Sequence, residues 1–235
     1  MNKFYAMEWI FFGIEGILYL AYMFLDLFCT SQYEISNHIK FLSVFLCLIY
    51  TLTWNKKDKT RGYELLAISM VFIFLSDLYI LILSYYNIGV FTFFIAQLFL
   101  LGYLFLMQNK FTFRRFLGRI TFNILTSLVL LWIVQLFSIS IDWLLIISIV
   151  YFITFFYNLV EAIGYAIRNK KSKAVLFASG MLLYFLCDIN VGIFNTMSYV
   201  ETSNLEFQVI YEFATIAMWM FYLPGILLII RSGRY

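Results

Sequence analysis

Charge, proline and histidine are all scarce in this chain. Only 12% of its 235 residues are charged, one is proline and one is histidine, and each shortage closes off a class of protein. So few charges against 64% apolar residues exclude an ordinary water-soluble domain, in which roughly 45–50% of residues are apolar. One histidine limits any His-based triad to that residue and leaves no second imidazole to share a metal. The three cysteines, Cys29, Cys47 and Cys187, have no C-x-x-C spacing and are expected as filler inside or beside apolar runs. There is no glycine-rich phosphate loop and no nucleophile elbow, so neither ATP hydrolysis nor serine-hydrolase chemistry is supported, and nothing calls for a cofactor. The roughly 10-residue alternating segments of an outer-membrane barrel are also missing.

What the chain does have is long apolar runs separated by short polar ones. A helix that crosses a bilayer needs about 20 mostly apolar residues. Runs near 7–28, 38–54, 63–85, 88–107, 119–138, 141–167, 174–196 and 207–230 predict eight spans in one integral membrane domain, an all-α helical bundle. Glu15 interrupts the first run and no small-residue cleavage site follows, so it is expected as a retained span.

Basic residues test the count, because cytoplasmic loops collect Lys and Arg. With eight spans both termini share a side. Placing that side in the cytoplasm puts fifteen of the sixteen basic residues there, all but Lys40, while Glu34, Asp142, Glu201 and Glu206 fall on the other side. A miscounted span would scramble this alternation. The expectation is a multi-pass protein of the cell membrane with both termini cytoplasmic. The net charge of +3 follows from that bias and gives no reason to invoke nucleic acid; the expected partner is the bilayer.

The third and seventh spans echo each other, Ser69-Met-Val-Phe-Ile-Phe-Leu-Ser-Asp77 against Gly180-Met-Leu-Leu-Tyr-Phe-Leu-Cys-Asp188. Four spans apart, the two helices run in the same direction, which suggests a parallel duplication of four-helix halves. Each aspartate lies fourteen residues past the start of its span, about 21 Å up at 1.5 Å per residue. A charge inside hydrocarbon costs at least about 2.5–3.5 kcal/mol, so such residues must face a partner, water or a function. Asp26, Lys40 and Glu212 fall near the same level and could line a polar cavity with them. Two carboxyls in a poorly solvated cavity cannot both ionise cheaply, an arrangement that supplies one acid and one base. The plainer reading is that the aspartates pair with Lys40 or with neighbouring hydroxyls and amides to fix packing. Glu15 and Glu161 read as packing carboxyls, His38 as a surface residue, and Gln97, Asn123 and Asn158 as interhelical hydrogen-bonding groups. The Phe and Tyr residues are expected mostly at the lipid face.

Several segments resemble the YhhN-like lysoplasmalogenase family of eight-span membrane proteins. Phe72-Ile-Phe-Leu-Ser-Asp77 looks like its apolar run ending in Gly-Asp, and Phe93-Phe-Ile-Ala-Gln97 like its Phe-x-x-x-His. Gly180 to Asp188 is similar to its Gly-x-x-x-Phe-x-x-Ser-Asp, Ile39-Lys40-Phe41-Leu42 to its Lys-Pro-Leu, and Tyr222-Leu-Pro-Gly225 to the aromatic start of its last-span motif. Phe41, Gln97, Tyr184 and Ile226 depart from the usual family residues. The resemblance implies cleavage of the vinyl ether bond of a lysoplasmalogen to a fatty aldehyde and a glycerophospho-alcohol. With that reaction in view, Asp77 and Asp188 are expected as catalytic acid and base and Lys40 as the holder of the lipid phosphate, with Asp26 and Glu212, from their level, and Gln97 and Tyr222, from the resemblance, as further substrate contacts. Paired intramembrane carboxyls in a four-plus-four repeat would also suit a proton-coupled transporter or a non-catalytic membrane protein.

Overall fold

A computed structural model describes residues 3–53, 62–137, 141–197 and 205–234. Among these residues the protein is a bundle of eight long helices: α1 (Lys3–Phe28), α2 (Tyr33–Leu52), α3 (Tyr63–Asp77), α4 (Tyr86–Met107), α5 (Phe113–Leu136), α6 (Trp143–Asn169), α7 (Ser172–Met197) and α8 (Leu205–Ser232). All eight are long and apolar enough to cross a membrane, and the protein is a multi-pass membrane protein of all-α fold. The loop carrying Lys56, Lys57, Lys59 and Arg61, and Glu201, lie outside the described residues.

Helices α2 and α5 begin five or more residues before the apolar runs predict. A short 3-10 turn, Thr30–Gln32, opens the first polar connector, and α2 takes the rest of it from Tyr33. Its polar first turns are usable because Ser36 and Asn37 are buried against the bundle. Helix α5 starts at Phe113, where the Thr112 side chain accepts the Arg115 N–H. This N-cap anchors a turn of basic residues that hydropathy alone assigns to the loop.

Neighbours in sequence pack as neighbours in space within each half, α1 on α2, α2 on α3 and α3 on α4, then α5 on α6, α6 on α7 and α7 on α8. The halves join through α4 against α6 and through α2 against α8, contacts that exchange under a two-fold relation of α1–α4 to α5–α8. The sequence echo is thus matched by an echo in packing. Asp188 follows Asp77 by 111 residues, and Tyr151, Thr154 and Asn158 follow Lys40, Ser43 and Cys47 by the same interval. Helix α1 also meets α8, which closes a ring, while α5 has its substantial contacts with α6 alone.

The closest seam is α7 on α8. A Cβ on Gly180 would stand 2.8 Å from the Gly225 carbonyl oxygen, and one on Gly225 would stand 2.9 Å from the Tyr184 nitrogen. Lipid tails are as apolar as leucine, so close backbone approach of this kind holds membrane helices together. Ion pairs gather where α1 and α5 begin and α8 ends: Glu8 meets Arg231 and Arg234, and Glu161 meets Arg115 at 3.4 Å and Arg119 at 3.5 Å. This is called the basic end below. Glu161 is the packing carboxyl that the sequence suggests.

Candidate functional site

Asp77 closes the regular part of α3. Beyond it the backbone widens into a π-helical turn, Leu78–Ile82, with the Leu83 N–H donating to the Leu78 carbonyl at 3.1 Å. Such turns insert one residue into a helix and re-aim what lies beside them. The Asp77 side chain is buried, and its Oδ2 accepts a hydrogen bond from the Tyr222 hydroxyl of α8 at 2.5 Å. That tyrosine stands two residues before Pro224, the proline inside α8. Proline has no N–H, so the carbonyl four residues earlier loses its helical donor. The loss is met from α1, whose Tyr19 hydroxyl donates to the Met220 carbonyl at 3.2 Å and Tyr22 hydroxyl to the Trp219 carbonyl at 3.3 Å. Two tyrosines of the first helix therefore fix the broken stretch of the last, and with it Tyr222.

The second carboxyl is built in the same way from other helices. Asp188 of α7 accepts a hydrogen bond from the Tyr151 hydroxyl of α6. Between the two pairs stands Tyr184, one helical turn before Asp188. Its ring meets Tyr222 edge-on with centroids 5.4 Å apart and is flanked by Phe93 and Phe155 at 6.1 and 5.1 Å. The Tyr184 hydroxyl is buried with no hydrogen bond of good geometry, although the Tyr151 hydroxyl lies close enough to interact with it. A buried polar group left unsatisfied costs about 1–3 kcal/mol, and orphaned buried donors are rare enough to need a reason. The arrangement is two carboxyl–phenol pairs around a third phenol, whose hydroxyl sits beside that of Tyr151 without a well-formed hydrogen bond.

Lys40 does not pair with either of these aspartates. Its ammonium lies 2.8 Å from Asp26 Oδ2 and 3.1 Å from Oδ1, 4.3 Å over the Trp219 ring, and is 2% exposed. Asp26 also accepts from the Ser36 hydroxyl at 2.5 Å. The charge expected to hold a lipid phosphate is thus neutralised inside the bundle, and Asp26 serves as its counter-ion. The pairing gives both residues a structural partner in place of a headgroup.

The other candidates disperse. Gln97 lies one turn beyond Phe93 on α4, and Asn158 of α6 donates to its backbone carbonyl at 3.0 Å and its side-chain oxygen at 3.3 Å. Asn123 reaches Thr154 at 3.4 Å. Both are the interhelical bonds expected of these residue types. Glu212 is on an exposed face of α8, seven residues and so about 10 Å along the helix from Trp219. His38 is exposed, with its Nδ1 2.6 Å from the Glu34 carbonyl oxygen. Glu15 is buried and receives the hydroxyl of Ser43 and, at 3.6 Å, the thiol of Cys47, both from α2.

Tyr22, Tyr151, Tyr184 and Trp219 are the site residues that sequence reasoning missed. Tyr22, Tyr103, Tyr151, Tyr184 and Tyr222 are exceptions to the expected lipid-facing or interfacial placement and are buried. A phenol can enter a core if its hydroxyl finds a partner, and the carboxyls and the carbonyls beside Pro224 provide them. One signal was available in the sequence, since Tyr151 occupies in the second half the register of Lys40 in the first. No family model matches the chain, and no curated protein or solved structure is significantly similar to it.

Proposed function

We propose that the protein is a membrane-embedded hydrolase that cleaves the vinyl ether bond of a lysoplasmalogen-type lipid, as the resemblance implies, with Asp77 and Asp188 as acid and base. The observation that carries this reading is the convergence of both carboxyl–phenol pairs on the hydroxyl of Tyr184, which has no well-formed hydrogen bond of its own. Hydrolysis of an enol ether begins with protonation of its β-carbon, leaving an oxocarbenium ion. One aspartic acid supplies that proton. The other carboxylate takes a proton from water as it adds to the cationic carbon, and the resulting hemiacetal collapses to aldehyde and alcohol. Tyr184 donates to the ether oxygen or to the attacking water, Tyr222 positions the Asp77 carboxyl, and the tail lies among apolar helices. Gln97 accepts from Asn158 through both its oxygens, and its amide nitrogen remains to contact the substrate. The same reading places the termini in the cytoplasm and the aspartates in the outer half of a cell membrane.

A proton-coupled transporter is the second reading, and one observation favours it. Cys47 bonds Glu15 and lies near Asp77, so two buried acids stand either side of one thiol, in a bundle whose last helix carries Pro224. The test is to supply the purified protein with lysoplasmalogen and measure free aldehyde, with Asp77→Asn and Asp188→Asn alongside. Release that either substitution abolishes is the expected result. No aldehyde above background, or undiminished release from both variants, removes the hydrolase reading. Uptake into proteoliposomes that collapses with the pH gradient would establish the second.

A further inference from the structure

At the basic end, the segments that follow α4 and α6 meet around a cavity of about 420 Å³ whose lining includes Gln108, Lys110, Tyr165, Arg168, Asn169 and Lys171. Its size falls within the ~300–1,000 Å³ of small-molecule sites. Two of the turns that shape it are held in the left-handed region by residues other than glycine, Asn109 with φ 55° and Lys170 with φ 52°. Such conformations persist where the surroundings fix them. Tyr165 ties the two segments together by donating its hydroxyl to the Met107 carbonyl at 3.0 Å, and Asn169 donates to the Tyr165 carbonyl at 3.2 Å.

Two features of the lining have no internal explanation. Gln108 is 9% exposed, yet both its amide nitrogen and its amide oxygen are buried without a partner. A primary amide in that state is a donor and an acceptor waiting for a ligand that offers both. Lys110, Arg168 and Lys171 add three positive charges, the lining has no carboxylate, and none of the three is ion-paired among the described residues. The positive-inside bias explains why cations lie at this end. It explains neither the cavity nor the glutamine.

We propose that this cavity is a binding site for a phosphate-bearing anion, separate from the aspartate site and independent of the function assigned to it. The Arg168 guanidinium matches the paired oxygens of a phosphate, and the two lysines supply charge. The Gln108 amide nitrogen donates to a phosphate oxygen, and its carbonyl accepts from a hydroxyl of the phosphate or of an attached polyol. A free phosphate ester and an anionic lipid headgroup share this chemistry.

The experiment uses the full chain purified in detergent and has two arms. In one, inorganic phosphate and glycerol phosphate are titrated calorimetrically; in the other, retention of phosphatidylglycerol against phosphatidylcholine is read by native mass spectrometry. Binding in the first arm identifies a free anion, and retention of phosphatidylglycerol alone identifies a headgroup. Lys110→Gln/Arg168→Gln/Lys171→Gln should weaken whichever is seen at least tenfold, while Arg114→Gln, a cation of the same end outside the lining, should leave it within twofold. Gln108→Met fills the same space without polar atoms, so it should weaken binding several-fold while thermal stability holds or rises. Silence in both arms overturns the proposal. So does an Arg114→Gln loss equal to that of the triple variant, or wild-type binding by Gln108→Met, since either reduces the effect to general surface charge.

Discussion

Replacing Lys40 and Asp26 singly and together separates a structural ion pair from a headgroup ligand. Asp26→Asn leaves an ammonium that is 2% exposed with only an amide and the Trp219 ring, 4.3 Å away, for company. Breaking a buried pair by removing one partner costs about 3–5 kcal/mol, because the surviving charge is uncompensated. Lys40→Met should fall at the low end of that range, because Asp26 is 12% exposed and keeps the Ser36 hydroxyl. The double variant Lys40→Met/Asp26→Leu has no charge left to strand. Its main debit is the buried Ser36 hydroxyl, about 1 kcal/mol, so it should be more stable than either single variant, with a coupling of at least about 3 kcal/mol. Unfolding in mixed micelles with increasing dodecyl sulfate measures all four proteins, and aldehyde release measured in parallel should show the double variant with a near-native KM. A double variant as unstable as the worse single one would refute the structural assignment. A double variant that is stable but has lost substrate affinity would return Lys40 to the headgroup.

Other expectations follow from single contacts. Tyr184→Phe keeps the packing of the ring and removes only a hydroxyl without a well-formed hydrogen bond, so stability should hold or rise by about 1 kcal/mol while aldehyde release falls; unchanged release would remove Tyr184 from the chemistry. Tyr222→Phe takes from Asp77 its 2.5 Å donor, a loss of about 1.5–3 kcal/mol if the carboxylate is the bonded form, and should lower kcat about tenfold or more with KM little changed. Gly180→Ala drives a methyl to 2.8 Å from the Gly225 oxygen and the Ile229 nitrogen; backbone cannot yield as a side chain can, so a loss of about 1–3 kcal/mol should appear in the micelle titration. Tyr19→Phe should cost about 1 kcal/mol in the native chain and much less beside Pro224→Ala, which restores the helical donor to Met220; equal cost in both backgrounds would mean the hydroxyl serves something else.

The eight spans and their alternation were legible because both rest on single-residue properties, hydropathy and charge. The helices that carry Asp77 and Asp188 were legible too, since each needs only a count along one apolar run. What each acid touches was not, for a physical reason: hydrogen-bond partners in a bundle come from other helices, near or far in sequence, and hydropathy does not say which faces meet. Asp77 takes its donor from Tyr222 and Asp26 takes Lys40, whereas the plainer reading had paired Lys40 with Asp77 or Asp188. Composition also left the buried tyrosines unmarked, since the residue's interfacial habit is a statement about exposed rings. Seven tyrosines are buried here, and for Tyr22, Tyr151 and Tyr222 the carbonyls beside Pro224 and two carboxyls receive the hydroxyl; proline's consequence for another helix's side chains is invisible in a hydropathy trace.

The π turn after Asp77 has a consequence for how two alike acids become unlike. Helix α7 continues as regular α-helix past Asp188 to Met197, whereas α3 widens at once after Asp77. There Ile80 fills the space beside Gly89, where a Cβ would come within 2.3 Å of it. A π turn is one residue more than the regular helix needs, so a single inserted or deleted codon separates the two geometries. Deleting one residue from Leu78–Ile82 would turn everything after it by about 100° and bring the first half closer to its twin. A duplicated chain begins with two equivalent carboxyls, and a division of labour between them needs only a difference in the backbone that follows each.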